Sequence, residues 1–148
     1  MKGDEGNRLT TSCPTLEQRV SLQTRPEKNS VMYQRWDDLW FLHWEADAEA
    51  LQLSLPPGLT IDRHHGKAYV AIVPFRMRAI RPRGLFAVPY LSYFLECNVR
   101  TYVHDANSIP GVWFYSLDTD RWLAYWVAQK FFRLPYVWSS MGFHRDGN

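Results

Sequence analysis

YLSYFLECNVRTYV, residues 90–103, alternates with the period of a β-strand. Side chains two positions apart share a face, so Leu91, Tyr93, Leu95, Cys97 and Val99 form one apolar row. Phe94, Glu96, Asn98 and Arg100 form the other. The segment Tyr90–Val103 is expected to be the longest strand in the chain. Inside a small barrel, a carboxylate beside an arginine on such a row binds or polarises a ligand. On a half-exposed sheet the same row faces solvent, and alternation alone leaves both readings open.

Working outward, Gly111 to Leu117 reads as a second strand, reached through a loop containing Asn107, Pro110 and Gly111. Asp118-Thr119-Asp120 then offers caps for a helix over Arg121 to Phe132. Leu123, Trp126, Val127, Lys130, Phe131 and Leu134 recur there at helical spacing, and Pro135 ends it. Val137 to Phe143 resumes a strand pattern. Toward the N-terminus, the arginines from Arg76 to Arg83 read as the rim of a Pro/Gly-containing loop. Leu59–Asp62 and Lys67–Met77 flank the turn residues His64-His65-Gly66, predicting a hairpin. Asp47 predicts an N-cap for a helix over Ala48 to Leu53, and Leu39 to Glu45 reads as a strand. Residues 1–31 are charged and Ser/Thr-rich, predicting a disordered polar tail ahead of a domain over 32–148.

The composition fits one globular domain. At 148 residues and 46% hydrophobic, the chain can bury a core without disulfide or metal. Aromatic residues make up 16%, with seven Trp; Trp113, Trp122, Trp126 and Trp138 are expected in the core and pocket walls. A net charge of +2 gives no reason to invoke nucleic acid. No apolar run forms a signal peptide or membrane span, and Cys13 and Cys97 read as reduced thiols, so a soluble cytoplasmic protein is expected. Adjacent His64 and His65 lack further ligands, so no metal is expected. No motif for a phosphate loop or a nucleophilic serine occurs, and no cofactor is expected.

An ordered set of segments carries a resemblance. Asp47-Ala48-Glu49-Ala50-Leu51 through Leu55-Pro56-Pro57-Gly58-Leu59 is followed by Ala71-Ile72-Val73-Pro74-Phe75. Then come Glu96 to Val103, Pro110 to Asp118, and Phe132-Arg133-Leu134-Pro135-Tyr136. In this order they resemble the acetoacetate decarboxylase-like superfamily, and within it the YqjF-like family of uncharacterised, largely bacterial proteins. The resemblance implies an α+β fold, a β-barrel with a few flanking helices and a central pocket. Members usually continue past this point, and Asp146-Gly147 reads as a hairpin turn with no returning strand. The chain is therefore expected to be the N-terminal part of a barrel, or to have its missing strands supplied by another chain.

The decarboxylase resemblance also places a Schiff-base lysine after a proline that follows the central helix. Here that place reads Pro135-Tyr136-Val137. A phenol cannot form an imine, so decarboxylase chemistry is not expected. The resemblance places Glu96 at a pocket carboxylate. Pocket candidates are then Phe94, Glu96, Asn98, Arg100 and Tyr136, with Tyr136 as hydrogen-bond donor and Arg100 meeting either Glu96 or a ligand carboxylate. The expected partner is a small organic acid or carbonyl compound, with neither nucleic acid nor membrane. The alternative is an interaction module, or an inactive remnant, that self-associates through an unpaired strand edge.

Overall fold

The computed structural model describes residues 13–25, 27–127, 130 and 135–145. In chain order the elements are α1 (Leu16–Ser21), β1 (Met32–Asp37), β2 (Leu42–Ala46), α2 (Ala48–Leu53) and β3 (Thr60–Ile61), then β4 (Ala68–Pro82), β5 (Phe94–His104), β6 (Pro110–Thr119), α3 (Trp122–Val127) and β7 (Tyr136–Trp138). This is a mixed α+β chain built on one seven-stranded sheet, ordered β1-β4-β5-β6-β7, with β2 also on β4 and β3 on β5. All pairings are antiparallel except β6–β7, which is parallel across α3. The sheet is open. Among the described residues no pairing joins β1 to β7, so the expected barrel is not closed.

Sequence chemistry explains the local choices. Asp47 caps α2 by accepting from the amides of Glu49 and Ala50, as its position predicts. His65 and Gly66 both have positive φ, and His64 and Lys67 exchange backbone hydrogen bonds of 2.9 and 3.1 Å across that tight turn. The predicted hairpin around it does not form. β3 passes β4 and pairs with β5 instead, which buries Ile61 against Ala68 and Val103. α2 adds Ala48 and Leu51 to that cluster, and Leu55 joins it just past the helix end, on one face of the sheet.

β4, not β5, is the longest strand, at 15 residues. It runs through Arg76, Arg78 and Arg81 of the segment read as a loop, and Asp38 and Asp37 neutralise Arg76 and Arg78 from the neighbouring chain segment. Arg78 reaches Asp37 at 2.9 Å, and Arg76 reaches Asp38 at 2.7 Å. The tail reading meets a second difference: residues 16–21 form α1, closed by a Thr15–Gln18 capping box. The Arg19 guanidinium forks onto the buried carboxylate of Asp62. β7 covers only Tyr136–Trp138 of the strand expected to reach Phe143. Most of the predicted helix past Val127, and the Asp146-Gly147 turn, lie outside the described residues. Trp122, Trp126 and Trp138 are exposed rather than core; Trp113 packs against the α2 cluster. No helix among the described residues is long and apolar enough to cross a membrane.

The second core cluster is Ala71, Val73, Phe75, Met77 and Phe94, on the other face of β4 and β5. Unbroken β4–β5 register puts Phe75 opposite Glu96 and Val73 opposite Asn98. That face carries the candidate site.

Candidate functional site

The row Phe94, Glu96, Asn98 points inward. These residues are 8%, 4% and 5% exposed, while Leu95, Cys97 and Val99 on the apolar row are only half-buried. Each polar residue is flanked across the sheet. Glu96 lies between Phe75 on β4 and the fully buried Thr119 on β6, and Asn98 lies between Val73 and Leu117. Trp36 covers Phe75, ring centroids 4.8 Å apart.

β7 brings in the fourth candidate. Its parallel register sets Tyr136 beside Leu117, and the backbone bonds Leu117 N to Pro135 O and Ser139 N to Thr119 O fix it there. The Tyr136 hydroxyl then donates to Glu96 Oε2 at 3.0 Å. Burial pushes the Glu96 carboxyl up to about 7, against hydrogen bonds from Tyr136 and Asn98 that favour its charged form. Burial, reinforced by the adjacent Glu96 charge, pushes the Tyr136 phenol well above its ordinary value. Near neutral pH the carboxyl therefore exchanges a proton readily while the phenol keeps its own. The pair can donate to, or accept from, a bound polar group.

Arg100 is not brought to Glu96. Its guanidinium lies over the rings of Phe41, at 5.3 Å, and Tyr102, at 5.8 Å. It makes no ion pair among the described residues, and its Nε is buried without a hydrogen-bond partner. Around it is a cluster the sequence reading missed. His43 on β2 lies opposite Ala71, itself opposite Arg100, and its Nε2 is 2.6 Å from the Tyr102 hydroxyl. His43 also stacks on Phe41 and Tyr102. The available signal was alternation: Tyr102 continues the Glu96 row by one step, and Phe41 and His43 share a face.

A cavity of about 420 Å³ opens where residues 141–143 pass the sheet. Trp40, Phe75, Leu95, Glu96, Cys97 and Phe143 contribute to its lining. Its size falls in the range of small-molecule pockets. The His64 and His65 rings touch edge to face at the turn, and no group of three or more His, Cys, Asp or Glu side chains converges among the described residues.

The fold and site define an α+β protein with an open, seven-stranded sheet and a buried carboxyl–phenol pair on one face. Residues 33–148 match the family of domain of unknown function 2071, described as an uncharacterized conserved protein, and the chain belongs to that family. It is 37% identical over 123 residues to the uncharacterized protein YqjF of Bacillus subtilis (strain 168), a match covering 83% of this chain. The chain spans about half the length of that relative, 50%. No solved structure shows a significant match.

Proposed function

We propose that the chain is part of a small-molecule-binding barrel of the acetoacetate decarboxylase-like kind, acting without Schiff-base chemistry. The observation that carries this is the Tyr136 hydroxyl donating at 3.0 Å to a carboxyl buried between Phe75 and Thr119. A carboxyl that is neutral or charged near pH 7 suits a small carbonyl compound or organic acid, because it can switch between donor and acceptor. Tyr136 offers a phenol where the decarboxylase resemblance calls for an amine. Lys67 is engaged elsewhere, with its Nζ 2.6 Å from Glu45.

The test is a panel of small carbonyl compounds and carboxylates, followed by NMR of the Glu96 carboxyl carbon and the Tyr136 ring. Binders are expected to move both signals and to raise Tm. Failure of every panel member to move either signal refutes the proposal. The alternative, an interaction module pairing through an open strand edge, predicts instead a concentration-dependent dimer in sedimentation.

A further inference from the structure

Resting on that reading of the Glu96 face, we infer that its occupant is a short hydroxy acid, its carboxylate held by Arg100 and its hydroxyl by Asn98. Five buried side-chain atoms among the described residues lack a hydrogen-bond partner. Two of them lie on one row of β5 and carry the argument; the others are Arg121 Nε and the ion-paired Asp38 Oδ2 and Arg76 Nε. Asn98 Oδ1 is buried without a hydrogen-bond partner, on a residue 5% exposed, and Arg100 Nε is likewise buried and unpartnered. Buried polar atoms are normally satisfied, so two orphans in adjacent places on one face call for something that pairs with both. One is an acceptor and needs a donor. The other belongs to a permanent cation and needs an anion.

Arg100 is prepared for a planar anion. Phe41 and Tyr102 lie against the guanidinium through their ring faces, leaving its in-plane N–H groups as the contact for a carboxylate fork. The 2.6 Å contact between His43 Nε2 and the Tyr102 hydroxyl holds one of those rings in place. Arg19, Arg35, Arg76, Arg78 and Arg145 each form an ion pair with an aspartate; Arg100, like Arg121, has a buried Nε without a partner and forms no ion pair among the described residues.

Spacing sets the ligand's size. Positions two apart on a strand lie roughly 6–7 Å apart. A hydroxyl and a carboxylate separated by two or three carbons reach both orphans with ordinary hydrogen bonds. A plain carboxylate satisfies only Arg100, and a phosphate or dicarboxylate sets a second acceptor against Asn98 Oδ1. The Glu96–Tyr136 pair lies one step further along the row, beyond the ligand's hydroxyl.

The experiment compares 3-hydroxybutyrate, butyrate and methyl 3-hydroxybutyrate on the full chain by ligand-observed NMR titration. The expected result is that the hydroxy acid binds about tenfold or more tightly than either relative, a difference of about 1.4 kcal/mol each. In Arg100→Gln the acid and its ester are expected to bind alike. Equal binding of acid and ester to the unaltered chain overturns the inference, as does equal binding of 3-hydroxybutyrate and butyrate. So does an acid preference that survives in Arg100→Gln. If that variant does not fold, the three-ligand comparison decides alone. Acetone, which lacks both groups, separates the two claims. If it moves the Glu96 and Tyr136 signals while the hydroxy acid shows no advantage, the site stands and this occupant is refuted. If nothing moves them, both fall.

Discussion

Replacing Glu96 with glutamine should make the protein less sensitive to alkaline pH, and the size of the effect follows from burial. The Glu96 carboxyl titrates at about 7 in the folded chain against 4.5 for a free glutamate. Below pH 4.5 both folded and unfolded chains hold the proton, and the group contributes nothing to stability. Between 4.5 and 7 the unfolded chain has released its proton while the folded chain keeps it. Folding then binds a proton, so stability falls as pH rises, and the loss is complete above about pH 7. A displacement of this size corresponds to about 3 kcal/mol. Glutamine keeps the shape and the acceptor for Tyr136 but does not titrate. The stability difference between Glu96→Gln and the parent should therefore grow by about 3 kcal/mol from pH 4.5 to pH 8, in favour of glutamine. Urea unfolding at four pH values measures it. With a slope of about 1–3 kcal/mol per molar, the midpoints should separate by about 1–3 M at pH 8. Other titrating groups cancel in the comparison. Tyr136→Phe supplies the converse, since it removes a donor that favours the charged carboxyl. It should cost about 1–2 kcal/mol more at pH 8 than at pH 5. A glutamine-minus-glutamate difference that stays flat across pH shows that the carboxyl is not desolvated in the folded chain, and the reasoning about the site fails with it.

Two further outcomes test the scaffold. Asp47→Ala removes the acceptor for the Glu49 amide at 2.8 Å and should destabilise the chain by about 1 kcal/mol, with faster hydrogen exchange at Glu49 and Ala50; unchanged exchange there would show that α2 does not depend on its cap. Cys13 is exposed, whereas Cys97 is half-buried and its thiol is pushed up by burial, with the Asp118 and Glu96 charges adding to it. Iodoacetamide at pH 8 should therefore modify Cys13 about tenfold faster or more, because the thiolate is the nucleophile. Comparable labelling of both in a mass-spectrometric time course would contradict this.

The legible parts of this fold were local. Alternation over Tyr90–Val103 marked β5, which is observed over Phe94–His104, and Asp47 ahead of Ala48–Leu53 marked α2 with its observed bounds. Pairing partners were not legible. Nothing near Thr60 and Ile61 reports that their complement is Val103 and His104 rather than β4, since the gain comes from burying Ile61 against residues remote in sequence. The arginines of β4 misled for the same reason, because the aspartates that neutralise them sit about 40 residues earlier, on β1 and just after it. Within the site, alternation separated Phe94, Glu96 and Asn98 from Leu95, Cys97 and Val99, but a period of two cannot say which face is covered. Phe75, Val73, Leu117 and Thr119 decide that from two other strands. Composition pointed the wrong way: the row with more polar residues is the more buried one.

That inversion bears on function. Burying an unpaired amide oxygen or a carboxyl opposes folding, and a row serving only the core would hold aliphatic side chains as Val73 and Ala71 do on the neighbouring strand. The Glu96 row holds a carboxyl raised to about 7, an amide oxygen with no partner and a guanidinium nitrogen with no partner, in consecutive places on one face. Each runs against stability, and these three share one surface. Three further buried atoms without a hydrogen-bond partner, Asp38 Oδ2, Arg76 Nε and Arg121 Nε, lie elsewhere in the chain, the first two forming an ion pair. The three on the Glu96 row lie between an aromatic clamp at the Arg100 end and a phenol at the Glu96 end. The proposed anionic ligand would favour the neutral form of Glu96, so its stabilisation of the chain should be larger below pH 7 than above it.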